Sequence, residues 1–224
     1  LTTKFGWSPW IALGIAIILP ATLAFFVSRP ILRLPELSLG LATLALGTIY
    51  EVAIRRGGDF TGGFVGLSGI PPLPGIGTSV ARAHYAAWGL VLLTVIGYSR
   101  LMRTSRGRSL NAIRADRIVA QAMGVNVAHE LSVVFALAAA VTGVAGWFYA
   151  HYIGYLAPES LGSALSINAL FMVVLGGRKT TLGPILGAIV FVNASDILPG
   201  TESQGFFFGG LLLLILLVLP DGLL

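Results

Sequence analysis

LSVVFALAAAVTGVAGWFYAHYI, residues 131–153, runs for 23 positions without an Asp, Glu, Lys or Arg. A stretch that long and that apolar crosses the roughly 30 Å of bilayer hydrocarbon as an α-helix, and its Ala/Gly surface suits close helix packing. Comparable runs recur on both sides of it. They lie at 7–28 (WSPWIALGIAIILPATLAFFVS, with a kink expected at Pro20), at 36–54 (weakened by Glu36 and Glu51 at its ends), at 85–102 (YAAWGLVLLTVIGYSRLM) and at 205–220 (GFFFGGLLLLILLVLP). Two further runs, near 160–177 and at 182–198, are short and broken by glycine, the pattern of tilted or interrupted helices that line a cavity. Together these make an all-α, polytopic transmembrane bundle of about seven spans, read as a single transmembrane domain over 1–224.

Composition agrees. Of 224 residues, 56% are hydrophobic and only 10% charged, against about 25% charged in soluble domains. The 29 glycines fit membrane helices, where glycine is frequent. With no cysteine, a disulfide framework, a thiolate metal site and a cysteine nucleophile are excluded. Three scattered histidines and nine carboxylates argue against a multi-ligand metal site, and neither metal nor cofactor is expected. A chain that opens on Leu1 with no signal-peptide pattern reads as N-terminally incomplete.

The net charge of +5 is topological and does not signal nucleic acid. Loop 99–130 holds Arg100, Arg103, Arg106, Arg108, Arg114 and Arg117. Placing it in the cytoplasm brings Arg29, Arg33, Arg178 and Lys179 to the same side, so that 10 of the 14 basic residues lie inside. Lys4, Arg55, Arg56 and Arg82 then lie outside, and the chain ends inside at Pro220-Asp221-Gly222.

Within the cytoplasmic loop 103–130, residues 114–123 form a helix of about three turns on a 100° wheel. Ala115, Ile118, Val119, Ala122 and Met123 fall on one side, Arg114, Arg117 and Gln121 on the other, and Gly124 stops the helix. Its apolar face needs a cover: the lipid interface, the chain's own helix ends, or a soluble partner. Nearly 30 residues are more than two spans need for a connection, which favours the partner.

NAIRADRIVAQAMGVNV (111–127) resembles the coupling loop of the permeases of branched-chain amino acid ABC transporters. TGGFVGLSGIP (61–71), AGWFYAHYIGYLAPES (145–160), LSINALFMVVLGG with LGPILGA (165–177 and 182–188) and the final PDGLL match that family in the same order. The resemblance implies a plasma (inner) membrane transport subunit rather than an enzyme. Its partners would be a second homologous permease, cytoplasmic ATP-binding subunits that hydrolyse ATP, and an extracytoplasmic substrate-binding protein. It further implies ATPase docking through Arg114, Ala115, Arg117, Ile118, Val119, Gln121, Ala122, Met123 and Gly124. A substrate path past Ser166, Asn168 and Asn193 is expected, for branched-chain amino acids or for urea or short amides. Two positions depart from the family: Arg178-Lys179-Thr180-Thr181 replaces a small glycine-rich turn, and Asn168 stands where an acidic residue is usual. No Walker-type phosphate loop occurs in the chain.

Residues 55–84 hold eight glycines between 57 and 77. Phe60, Phe64, Val65, Leu67, Ile70, Leu73 and Ile76 make this segment too apolar for a solvated connection, so it is expected to pack on the spans as an outer cap. Glu51 and Arg55, four apart, are expected to pair, and Tyr149, Tyr152 and Tyr155 to form an interfacial aromatic belt. Another class competes: Gly66-Leu67-Ser68-Gly69 and Ala150-His151 resemble the serine and histidine segments of rhomboid proteases, chemistry that needs the histidine within hydrogen-bond reach of the hydroxyl.

Overall fold

The computed structural model describes residues 2–32, 34, 36–77, 79–157, 162–177, 180–197 and 210, and it is mostly helical. The element order is α1 (Thr2–Phe5), α2 (Pro9–Ile31), α3 (Glu36–Arg56), α4 (Gly58–Thr61), β1 (Leu67–Ser68), α5 (Val80–Met102), α6 (Ser105–Ala115), α7 (Arg117–Ala122), α8 (Val127–Ile153), β2 (Tyr155–Leu156), α9 (Ser163–Gly176) and α10 (Gly183–Ile197). Two compact units result, Leu1–Pro158 and Glu159–Leu224.

Among the described residues, α2, α5 and α8 are long and apolar enough to cross a membrane. They answer the expected spans at 7–28, 85–102 and 131–153, α2 shifted two to three residues on and α5 and α8 begun about a turn earlier. Helix α3 matches the expected span at 36–54 in length, but Glu51, Arg55 and Arg56 crowd its last turns. The expected Glu51–Arg55 pair is present there, at 2.8 Å. Helices α9 and α10, at 14 and 15 residues, reach about 21–23 Å at 1.5 Å per residue, short of a straight crossing. The expected span at 205–220, the final PDGLL and the cations Arg33, Arg178 and Lys179 lie outside the described residues.

In the first unit α2 and α8 form an antiparallel pair. Trp147 Nε1 donates to the Pro9 carbonyl at 2.9 Å, with the Trp10 and Trp147 rings 6.0 Å apart. At the other end Phe25 meets His129 edge-on at 6.1 Å, and Arg29 stands over the Phe25 ring at 4.4 Å. Midway, a Cβ at Gly143 would fall on the Ala16 carbonyl oxygen. Sequence explains that approach. Pro20 sits inside α2 and has no N–H, so the carbonyl four residues back, at Ala16, lacks its helical donor. A glycine on the facing helix lets backbone close over it, as membrane interiors demand. The same pairing puts Arg29 at the α6–α7 end of α8, on one side with the loop arginines.

The loop expected as one helix over 114–123 is two. Asp116 is extended (φ −158°, ψ 121°), ends α6 and caps α7. Its carboxylate accepts from Ile118 N at 2.7 Å and Val119 N at 3.1 Å, an N-cap that typically contributes about 1 kcal/mol. Asn126 repeats the device, accepting from His129 N at 3.1 Å to start α8. Arg114 and Ala115 therefore close α6 and do not belong to α7. A wheel drawn through Asp116 had treated a break as a turn.

The second unit is a hairpin of α9 and α10. Gly176, Gly183 and Gly187 bring the two backbones together: a Cβ at Gly187 would land on the Met172 carbonyl, and one at Gly176 on the Gly183 carbonyl. Leu175 and Phe191 are buried, and the Phe171 and Phe191 rings stack at 6.5 Å.

Candidate functional site: a docking ridge on α7 and a strap at the far end of α8

Helix α7 is held from one side. Ala120 is 1% exposed and packs with buried Ile113 of α6 and Val127 of α8, surrounded by Leu110, Ala112, Val125 and Leu131. This small core fixes α7 on the first turn of α8. The other side is bare: Ile118 and Met123 are each 77% exposed and Val119 is 54% exposed. Arg114, Ala115, Arg117, Gln121, Ala122 and Gly124 are exposed around them. Among the described residues, then, nothing covers the positions named for docking. What the wheel missed is Ala120, the one position of α7 that faces inward. The cap residues Asp116 and Asn126 were legible as Asp and Asn directly before helical runs.

An apolar ridge on a short helix seated on its own core, ringed by arginines, has the makings of a protein contact. Exposed apolar patches with polar rims mark such sites, and Met and Arg are enriched at protein interfaces.

At the opposite end of α8 the segment after Gly62 is tied down. Strands β1 and β2 pair antiparallel, with Leu67 opposite Leu156 and Ser68 opposite Tyr155. Ile70 N donates to the Gly154 carbonyl at 3.2 Å, and the Tyr155 hydroxyl donates to the Val65 carbonyl at 2.7 Å. Gly154 has φ +73°, the left-handed turn that ends α8 and frees β2 to pair. His151 is buried and its Nδ1 donates to the Pro71 carbonyl at 2.7 Å. The segment packs on α8 as expected, with Leu73 buried, but not throughout: Phe64 is 71% and Val65 80% exposed. The Arg55 guanidinium of α3 stands 5.8 Å from the Phe64 ring. The side chain of Phe60 lies outside the described residues. Tyr149, Tyr152 and Tyr155 are exposed at this end, as an interfacial belt would be.

The strap also bears on serine chemistry. The His151 hydrogen bond goes to Pro71, not to the Ser68 hydroxyl, and Ser68 lies on a paired strand rather than at a helix start. The protease reading has no support in this geometry. Among the described residues no group of three His, Asp or Glu side chains is placed to hold a metal.

The residues expected along a substrate path are less concentrated. Ser166 and Asn168 lie on α9 and Asn193 on α10, all in the open half of the hairpin beyond the Phe171–Phe191 stack. Asn193 Nδ2 donates to the Ile189 carbonyl of its own helix at 2.7 Å. The side chain of Asp196 lies outside the described residues.

One consequence of the strap can be checked directly. Opposed residues of an antiparallel pair lie about 4.5–5.5 Å apart at Cα, within disulfide reach. Because the chain has no cysteine, Ser68→Cys with Tyr155→Cys should cross-link almost completely under mild oxidation. A Ser68→Cys, Tyr149→Cys control should not. Equal mobility shifts on non-reducing gels would deny the register.

The chain matches, over residues 1–217, the family described as branched-chain amino acid transport system / permease component. It is 30% identical over 251 residues to the high-affinity branched-chain amino acid transport system permease protein LivM of Escherichia coli (strain K12), covering 100% of this chain and 59% of that protein. To the permease protein LivH of the same system in that strain it is 28% identical over 150 residues, covering 65% of this chain and 48% of that protein. To the fructose import permease protein FrcC of Rhizobium meliloti it is 30% identical over 141 residues, covering 58% and 39%. The chain spans about 59% of the length of the LivM protein it matches. No solved structure matches it.

Proposed function

The chain belongs to the branched-chain amino acid transport permease family, and from that premise we propose that it is a membrane-spanning permease subunit of an ATP-driven importer of branched-chain amino acids. It works beside a second, homologous permease. ATP is hydrolysed on separate cytoplasmic subunits, and an extracytoplasmic binding protein delivers the substrate. The observation that carries the mechanism is the bare ridge Ile118, Val119 and Met123 on a helix whose other side is locked to α8 through Ala120.

Mechanically, a push on α7 passes through the Ile113–Ala120–Val127 core into the start of α8. Helix α8 is 27 residues long, about 40 Å at 1.5 Å per residue, and its far end carries the β1–β2 strap. A displacement at the α7 end is therefore delivered to the opposite face by one continuous helix, and α2 moves with it through the close Ala16–Gly143 contact. On this reading the end bearing α6, α7 and Arg29 is cytoplasmic in the plasma membrane, since six loop arginines and Arg29 gather there.

The substrate reading follows the printed activity of the LivM and LivH relatives, with the open half of the α9–α10 hairpin, near Ser166, Asn168 and Asn193, as its path. The test is reconstitution with ATP-binding subunits, a second permease and a binding protein of the same transport system. Radiolabelled leucine should enter proteoliposomes only with ATP, and isoleucine and valine should compete while fructose and urea do not. Uptake that persists without an ATP-binding subunit, or that selects fructose or urea, would overturn the proposal.

A further inference from the structure

The strongest unpaired charge in the first unit is not on the docking ridge. It gathers where α5 ends. Arg100 lies in the last turn of α5, Arg103 caps that helix, and Arg106 and Arg108 stand in the first turn of α6. All four are exposed. Among the described residues none of them forms an ion pair, a side-chain hydrogen bond or a ring contact. Of the carboxylates in the loop, Asp116 is spent on the amides of Ile118 and Val119, and Glu130 stands in the first turn of α8.

Local stability does not account for this placement. The positive end of the α6 dipole is where cations are disfavoured, yet Arg106 and Arg108 sit there and no acidic residue does. A cost borne by the helix calls for an anion from outside. Geometry says which kind. Helix α5 is long and apolar enough to cross a membrane, so the four guanidiniums begin within a turn of the hydrocarbon boundary, at the depth of lipid phosphates. The planar guanidinium fork matches phosphate oxygens two at a time. Basic clusters of this size beside a membrane helix concentrate anionic lipid. A soluble partner, by contrast, is met further along the chain, at Ile118 and Met123.

We propose that Arg100, Arg103, Arg106 and Arg108 form a collar that binds the headgroup phosphates of anionic phospholipids at the foot of α5. The collar holds α6 at the membrane surface, and α6 in turn carries Ile113, one wall of the core that seats α7. The proposal rests on α5 as a span and not on what α7 docks.

The experiment places the full chain in nanodiscs of phosphatidylcholine and phosphatidylglycerol at about 3:1 and measures the lipid retained on gentle detergent extraction. Phosphatidylglycerol should be enriched about fivefold over the bulk ratio, what a single favourable arginine contact at a charged leaflet yields. Replacing all four (R100Q, R103Q, R106Q, R108Q) should return retained lipid to the bulk ratio, while R100K, R103K, R106K, R108K should keep most of the enrichment. If the glutamine variant does not insert, the wild-type chain still decides: raising salt from about 0.05 M to about 0.5 M must reduce the enrichment through screening. A bulk ratio in the wild type, salt-insensitive enrichment, or undiminished enrichment in the glutamine variant overturns the proposal. So does a glutamine variant that loses an ATP-binding subunit and keeps its lipid, which would assign the collar to a protein partner.

Discussion

Ile118→Asp should leave the chain folded and inserted while lowering ATP-driven uptake by about 30-fold or more. Two magnitudes set that expectation. At 77% exposure Ile118 contributes little to the fold, and exposed substitutions away from special features shift stability by about 0.5 kcal/mol or less. On the proposed docking the same residue is an apolar anchor of the contact, and losing such an anchor costs about 2 kcal/mol or more, which is roughly 30-fold in affinity. Ala122→Trp tests the same surface by bulk, since Ala122 is exposed beside Ile118, and should uncouple hydrolysis from uptake with insertion intact. The informative contrast is Ala120→Phe. At 1% exposure Ala120 has no room, and overpacking there costs about 1–3 kcal/mol, so this variant should unseat α7 and lower thermal stability as well as coupling. Co-purification of the ATP-binding subunits, thermal unfolding and uptake measured on the three variants separate the two sides of α7. Wild-type uptake by Ile118→Asp would remove the docking assignment.

The second large effect concerns the body of the protein. Gly143→Leu should cut the yield of folded, monodisperse chain severalfold and lower its unfolding midpoint by many degrees. A single Cβ at 143 already collides with the Ala16 carbonyl, so leucine forces α2 and α8 apart along their whole contact. Separation exposes the carbonyl that Pro20 leaves without a helical donor, and an unsatisfied backbone group in hydrocarbon costs several kcal/mol. The Trp147–Pro9 hydrogen bond, at one end of the same pair, would be strained as well. Gly146→Leu is the control: it lies one turn on in α8, and a Cβ there meets nothing within 4 Å. If both variants behave alike, the close approach at Gly143 does not hold the pair together.

Much of this was written in local sequence. Apolar runs had to become helices because a bilayer offers the backbone no water, and α2, α5 and α8 fall where the runs at 7–28, 85–102 and 131–153 predict. The Glu51–Arg55 pair follows from four-residue spacing alone. Arginine placement gave a common side for Arg29 and loop 99–130, and the antiparallel α2–α8 pair has Arg29 at the α6–α7 end of α8. The exposed apolar residues of α7 and their charged neighbours were legible as a set, because alternation of apolar and charged side chains is a property of short-range pattern.

Other features were not legible, for one physical reason: each depends on two segments far apart in the chain. The exception is local: periodicity put Ala115 and Ile118 on one helix, although Asp116 caps the amides of Ile118 and Val119 and divides it in two. No wheel could say that Ala120 turns inward, since Ile113 and Val127 decide that from either side. Phe64 and Val65 read like their apolar neighbours, yet both are left exposed while Leu67 and Ser68 pair with Leu156 and Tyr155. Gly143 was one glycine among 29 until Pro20, 123 positions earlier, supplied the carbonyl it covers. By itself the sequence determined that this chain belongs in a membrane and where α2, α5 and α8, the helices long and apolar enough to cross it, would form, because hydrocarbon acts on each residue where it stands. The tertiary structure alone decided which faces meet, because a contact between backbones requires both surfaces at once and is recorded in neither stretch alone.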